Sequence, residues 1–259
     1  MVALNLKSIV LVLARDSLGV PEKIKELERL GFEYRIVCGE EIKDPNVIFR
    51  LPKGKFDAIN YGARFLPDDV DLVIMNDVDT EIHNLFSAIE KFEDKNVGVV
   101  FSRVAVKVGP QKSFYKLLDR IRNVVPIAAS GELFIIRKTI LDEILPLKAC
   151  KSEDSYLMFK ALEKKSRVVF DSNSFVVTRR TSIPEEEEKY KRRTVGGLYQ
   201  ALSYSKPPAL VRLFYLFLPF AAPLLLILGK NGYYWSRGIM FGYIDHLRGD
   251  KTGSWKQTY

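Results

Sequence analysis

Hydrophobic and polar positions fall in short blocks along this chain, and the period changes from block to block. Ile9 to Ala14 is an unbroken apolar run closed by charge at Arg15 and Asp16. It reads as a buried first strand and is too short for a secretory leader. Pro21 to Leu30 changes to helical spacing, with Ile24, Leu27 and Leu30 on one face and Gly31 as the stop. Tyr34 to Cys38 and Val47 to Leu51 predict two further strands, and Phe56 to Phe65 a second helix. Asp71 to Met75 is a fourth strand that runs straight into Asn76-Asp77-Val78-Asp79-Thr80. Helical spacing returns over Ile82 to Phe92 and Phe114 to Ile121, with a strand from Val97 to Ser102 between them. Leu133 to Ile136 and Val168 to Phe170 predict strands, separated by a helix from Ser155 to Lys164. Strands alternating with helices predict an α/β class fold, an open twisted sheet with right-handed crossovers. Ligands of such sheets bind beyond the carboxyl ends of the strands, where Asp77 and Asp79 stand.

The pattern changes after residue 184. An acidic run, Glu185 to Glu188, gives way at once to Lys189, Lys191, Arg192 and Arg193. Pro207-Pro208 follows, then the uncharged stretch Leu213 to Leu228, interrupted by Pro219 and Pro223. Its length lies between the roughly 10–14 apolar residues of a core or interfacial segment and the roughly 20 of a span. A re-entrant or interfacial hairpin is the favoured reading, with a buried soluble helix and a true span as alternatives. Lys206, Arg212 and Lys230 surround the stretch with positive charge, and Tyr233, Tyr234 and Trp235 follow it as an interfacial aromatic belt does.

Composition narrows the class. With 259 residues, 47% apolar and 28% charged, the chain is neither disordered, collagen-like nor a disulfide-stapled miniprotein. Cys38 and Cys150 are its only cysteines, too far apart for a metal-site spacing, which fits a reducing compartment. Two histidines leave little room for His-based catalysis. The net charge of +8 suits an anionic partner. Because the basic residues gather beside the apolar tail and no nucleic-acid-reading motif is present, no nucleic-acid partner is expected, and an anionic membrane surface is.

Several local patterns carry chemistry. Asp77 and Asp79 flank one residue at a strand end, so alternation places both carboxylates on one side. Hard oxygen donors so placed suit Mn²⁺ or Mg²⁺, and a polar strand end is the plainer alternative. Glu153-Asp154 opens a helix after Ser152, either as a helix cap or as a site for a general base. Gly54-Lys55, ahead of the helix carrying Asn60 and Gly62, suits phosphate or ribose contacts or a basic surface turn. Ser130-Gly131-Glu132 is a tight turn before a strand. His83 reads as a helix-surface residue rather than a third ligand.

In their order these pieces resemble glycosyltransferase family 2, inverting nucleotide-sugar-dependent enzymes of GT-A fold. Gly54-Lys55-Phe56-Asp57-Ala58-Ile59-Asn60-Tyr61-Gly62 is similar to that family's G-K-x-x-A-x-N-x-G segment, and Asp71 to Asp79 to its D-x-V-x-x-x-D-x-D strand. Ser130 to Lys138 resembles its glycine turn and following strand, and Ser152-Glu153-Asp154 its acidic motif. Tyr190 to Thr194 falls where membrane-bound members carry Q-x-x-R-W, with Tyr190 and Thr194 replacing the Gln and Trp. Gly249 to Trp255 resembles their short Gly-to-Trp ending, so the likeness runs over roughly residues 8 to 257.

The resemblance implies that Asp77 and Asp79 hold Mn²⁺ or Mg²⁺ and, with Lys55, Asn60 and Arg193, the donor's nucleoside diphosphate. Asp154 would be the catalytic base, and Gly131, Glu132 and Glu153 would border the acceptor. The base-reading acidic residue of the family lacks its usual context here, and Glu40 is the nearest substitute. Residues 1–184 would form the GT-A catalytic domain, and 185–259 a basic, apolar helical region associated with the membrane. The expected activity is sugar transfer from a nucleotide-sugar donor to a lipid-linked or glycan acceptor at the cytoplasmic face of the cell membrane. The alternatives are a non-catalytic, membrane-docked nucleotide-sugar-binding module and a nucleotidyltransferase. For the latter, Ala14 to Gly19 is a poor substitute for a triphosphate-binding loop.

Overall fold

A computed structural model describes residues 6–106, 112–178 and 183–249. The strands are β1 (Ser8–Ala14), β2 (Glu33–Cys38), β3 (Val47–Phe49), β4 (Leu72–Asp77), β5 (Glu81–His83), β6 (Val97–Val106), β7 (Leu133–Arg137) and β8 (Arg167–Thr178). The helices are α1 (Val20–Leu30), α2 (Lys55–Gly62), α3 (Leu85–Glu90), α4 (Lys112–Arg122), α5 (Lys138–Ile144), α6 (Glu153–Glu163), α7 (Pro184–Ser203), α8 (Ala209–Ala221) and α9 (Gly229–Leu247). The Gly249 to Trp255 segment lies almost wholly outside the described residues.

The strands form one sheet in the order β3-β2-β1-β4-β7-β6-β8-β5. Its first half is parallel, as the strand–helix alternation predicts. β7 runs antiparallel to both β4 and β6. The reason is local: the turn at Ser130-Gly131 lies at the carboxyl end of β4, so β7 starts at the site end and runs back. Side-chain alternation in β1 sends Ile9, Leu11 and Leu13 to one hydrophobic cluster and Val10, Val12 and Ala14 to another. The sheet is therefore covered on both faces, which is why its central strands read as continuous apolar runs.

Two predicted boundaries move. Ile82 lies in β5 rather than a helix, because it pairs with Val176 and is buried beneath it. Asn84 then turns the chain at φ 53, and α3 starts at Leu85. His83 is accordingly a strand residue, stacked on Phe175 at 4.8 Å. β8 continues well past Phe170, with a bulge at Asp171 to Ser174 that shifts its register against β6 between Ser102 and Arg103. Those polar residues imitate a loop in sequence, and Asp171 and Ser174 are in fact buried.

The C-terminal region is a helical layer. Contacts of α7 with α9 advance in step: Glu185 with Tyr234, Glu188 with Arg237, Tyr199 with Tyr243. The two helices are therefore parallel. Gly238 and Gly242 make this possible, since a Cβ on either would lie within 3.0 Å of α7. α8 makes the return stroke between them, and the chain turns into α9 at Gly229 (φ 72). Ala209–Leu247 is, among the described residues, the one stretch long and apolar enough to cross a membrane by length and composition. It is folded as a helical hairpin rather than drawn out as one rod. Leu213, Leu216, Phe217 and Phe220 point outward from α8, the last 73% exposed.

Candidate active site

The carboxyl ends of β1 and β4, the start of β7 and the amino ends of α2 and α6 converge on one cavity of about 1390 Å³. Lys55, Asp77, Asp79, Gly131, Glu132, Glu153, Asp154 and Arg193 all line it. Asp77 ends β4, and Lys55 opens α2 opposite it. The Lys55 ammonium donates to both Asp77 carboxylate oxygens, at 2.6 and 2.7 Å, and lies 3.9 Å from Glu153. Burial acts against that ammonium, yet Asp77, Glu153 and Asp154 together hold its pKa above the ordinary lysine value.

Asp79 lies two residues beyond the strand, in the turn, so its position follows from turn geometry rather than strand alternation. It is exposed, and it shares the cavity with Asp77. Beneath the turn, Lys23 of α1 is buried and donates to Asn76 Oδ1 at 2.8 Å, to Glu26 at 2.7 Å and to the Thr80 carbonyl. Glu26 in turn accepts from the backbone of Ile82 at 2.6 Å. Reading α1 by Ile24, Leu27 and Leu30 misses this group. The buried positions are Val20, Lys23 and Leu27, and a charged residue on that stripe is the available signal.

Asp154 is held in the first turn of α6. Its Oδ1 accepts from the Ser155 backbone at 2.7 Å and from the Ser152 hydroxyl at 3.0 Å. Gly131 packs so closely that a Cβ there would sit 3.2 Å from Asp154 Oδ2, which explains a glycine at this turn. Burial raises the Asp154 pKa against the donors that face it. Glu153 is pushed up to about 7 by burial, with Lys55 opposing and Asp154 adding to the rise. Two adjacent carboxyls and one ammonium thus share a poorly solvated corner.

The basic run of α7 divides by face. Arg192 leaves the cavity and pairs with Asp245 at 2.5 and 2.7 Å. Arg193 lines the cavity beside Tyr190. Lys191, also in the lining, lies 3.8 Å over the Trp235 ring and 3.6 Å from Glu187. Trp235, expected in an interfacial aromatic belt, is instead buried, stacked on Phe114 at 4.6 Å, and lines the cavity. Lys191 and Arg122 join that lining because the elements carrying them meet only in three dimensions.

Two candidate donor contacts lie elsewhere. Asn60 spends its amide on the backbone of Leu147, donating at 3.0 Å and accepting at 2.7 Å, and is not part of the cavity lining. It ties α2 to the loop before α6 instead of facing a ligand. Glu40 accepts from the Ser17 backbone at 3.0 Å and from the Ser17 hydroxyl, which keeps its carboxyl below the usual range. It too lies outside the cavity lining and braces the loop after β1.

Neither protein-family models nor curated protein sequences match this chain. Solved structures do. The chain is similar to GalNAc-T7 with UDP, GalNAc and Mn²⁺, at 12% identity and TM-score 0.54, over 94% of this chain and 55% of that one. It is also similar to M. tuberculosis glucosyl-3-phosphoglycerate synthase, at 14% identity and TM-score 0.49, over 78% of this chain and 82% of that one. A third likeness is to Drosophila β1,4-galactosyltransferase 7 with xylobiose, at 16% identity and TM-score 0.40, over 65% of this chain and 66% of that one. The chain thus spans little more than half the length of the GalNAc-T7 chain. At such identities the likeness is one of architecture. The fold is that of the GT-A glycosyltransferases.

Proposed function

We propose that this protein is an inverting glycosyltransferase that moves a sugar from a nucleotide-sugar donor to a lipid-linked or glycan acceptor at the cytoplasmic face of a membrane. The observation that carries the reading is the cluster of Lys55, Asp77, Glu153 and Asp154 at the strand ends of a GT-A sheet. GalNAc-T7, which shares that fold, is described with UDP, GalNAc and Mn²⁺.

Lys55 takes both Asp77 oxygens, and among the described residues no three acidic, histidine or cysteine side chains gather as a metal site. A divalent cation would therefore share Asp77 with Lys55, add Asp79 and complete its shell with substrate phosphates. Bound there, Mn²⁺ or Mg²⁺ would neutralise charge on the departing nucleoside diphosphate. Lys55 contributes a fixed positive charge beside Asp77, and Arg193 a second one facing the same cavity. Asp154 takes the proton from the acceptor hydroxyl as its oxygen attacks the anomeric carbon opposite the leaving group. The Ser155 backbone and the Ser152 hydroxyl hold the Asp154 carboxylate in place, so little reorganisation accompanies the reaction. Gly131 and Glu132 border the acceptor. Residues 185–259 serve as the membrane-associating region, a reading supported by the outward apolar face of α8 and the basic residues around it.

The test is release of nucleoside diphosphate from a panel of nucleotide sugars with Mn²⁺ or Mg²⁺ and a lipid extract. Asp79→Ala and Asp154→Asn are each expected to lose on the order of a hundredfold or more in kcat. Turnover of a nucleoside triphosphate with release of pyrophosphate would point to a nucleotidyltransferase instead. Binding of a donor without turnover of any would leave a docking module.

A further inference from the structure

Lys55 and a divalent cation require the same lone pairs. The ammonium engages both Asp77 carboxylate oxygens, at 2.6 and 2.7 Å, so an incoming ion must take at least one of them away. The return is small for an ion that arrives alone. Asp79 is exposed, so water competes for its carboxylate, and Mg²⁺ in particular gives up its own water reluctantly.

The contest takes place in a poorly solvated corner. The Lys55 and Asp77 side chains are 22% and 19% exposed, and that of Glu153 only 12%, so solvent and salt screen it little. The ammonium also has somewhere else to lean. Glu153 Oε1 lies 3.9 Å from the same nitrogen, and Asp154 acts on it electrostatically. Lys55 can therefore loosen its hold on Asp77 without losing all of its compensation. A diphosphate tips the balance twice, by offering oxygens to the ion and by adding negative charge beside the ammonium.

We propose that Lys55 is a resident competitor for the Asp77 carboxylate, so that a divalent cation is taken up only together with the donor's diphosphate. This rests on the glycosyltransferase reading and names how the donor site is loaded. When ion and diphosphate arrive, Lys55 yields one Asp77 oxygen, keeps the other and turns toward Glu153. The coupling is reciprocal: the ion strengthens diphosphate binding by the factor by which the diphosphate strengthens that of the ion.

The experiment titrates Mn²⁺ by electron paramagnetic resonance, which reads the free ion, in the absence of nucleotide. The variants are Lys55→Met, Lys55→Arg, Arg193→Met and the double variant Lys55→Met with Asp77→Asn, each checked by thermal melt. Lys55→Met should bind Mn²⁺ about tenfold tighter than wild type or more. Lys55→Arg should bind as weakly as wild type, since arginine keeps a two-pronged cation on the carboxylate. Arg193→Met removes the same charge from the cavity without freeing Asp77, and should change the affinity about twofold or less. Adding Asp77→Asn should erase the gain. An unchanged affinity in Lys55→Met would overturn the proposal, as would a gain that survives Asp77→Asn or is matched by Arg193→Met.

Wild type supplies a second reading that holds even if Lys55→Met does not fold. UDP, GDP or CDP should raise the affinity of the protein for Mn²⁺ about tenfold beyond what the free nucleotide binds. Mn²⁺ binding at Asp77 that is equally tight with and without each of the three would sink the proposal. Turnover enters none of these titrations. Failure to turn over any nucleotide sugar would end the glycosyltransferase reading, and the Mn²⁺ affinities would still decide the part played by Lys55.

Discussion

Lys23 and Lys55 approach one strand end from opposite faces of the sheet. Asn76 and Asp77 are consecutive on β4 and point to opposite sides, so α1 reaches the first and α2 the second. Asp77, Asp154 and Lys55 were legible in sequence because each sits in a recognisable local pattern. Lys23 was not, because a lysine in an amphipathic helix is normally assigned to its wet face. Its side chain is only 1% exposed, and that of Glu26 only 10%. Lys23→Met should therefore destabilise the fold by about 3–5 kcal/mol by leaving Glu26 buried and unpaired. The double variant with Glu26→Gln should recover part of the loss, as read by urea melts. Glu153 gives a prediction of opposite kind. Its folded pKa is raised to about 7 from 4.5, so between those values the folded state binds more protons than the unfolded state. Stability contributed by this group is full at low pH and is lost as pH rises through that window. Glu153→Gln should then raise the melting temperature relative to wild type at pH 8 and much less at pH 5, a difference on the order of 1–3 kcal/mol.

The helices after residue 184 control the site through backbone contacts that sequence patterns do not reveal. Gln200 of α7 accepts from the Lys151 backbone at 3.1 Å and donates to the Ala149 carbonyl at 3.3 Å. Gly197 lies so close to this loop that a Cβ would be 2.9 Å from Ser152. Gly197→Ala should displace the loop leading into Asp154 and lower kcat about tenfold to a hundredfold, with a smaller effect on the melting temperature. Gly238→Val should act differently, by forcing α9 away from α7. A melting-temperature loss equivalent to about 2 kcal/mol or more is expected. The hairpin expected within 213–228 is displaced: Pro219 lies inside α8, the chain turns at Gly229, and the second arm is α9, beyond the uncharged stretch. The parallel pairing of α7 with α9 was not foreseeable, because small residues such as Gly238 and Gly242 leave no hydrophobic signature. β5 escaped because so short a strand lacks the length over which alternation becomes readable, and the second half of β8 because the polar residues at its bulge break the alternation.

Across the whole molecule, charge and apolar surface gather on the same region. A chain of net charge +8 with Phe217 60% and Phe220 73% exposed should float with anionic vesicles, less with neutral ones, and less again at high salt. Substituting both phenylalanines with Asp should abolish flotation and leave the melting temperature unchanged, since neither side chain supports the core. The GT-A architecture was legible in the order of sequence motifs, although identity to GalNAc-T7, which shares that fold, is 12%. What the order could not convey is that the last helices complete the reaction cavity as well as follow it.

The grip of α7 on the loop at Ala149 to Ser152 bears on how this protein can be prepared. Trimming the chain at residue 184 to obtain a detergent-free catalytic fragment would strip the Ala149 carbonyl and the Lys151 amide of their partner Gln200. It would also uncover Cys150, whose Sγ donates to the Gly197 carbonyl at 3.5 Å and whose thiol burial pushes up to about 12. Such a fragment should emerge insoluble or crosslinked through an exposed thiol. Handling in plain buffer is better sought by recolouring the outer face of α8 with polar side chains and keeping every helix.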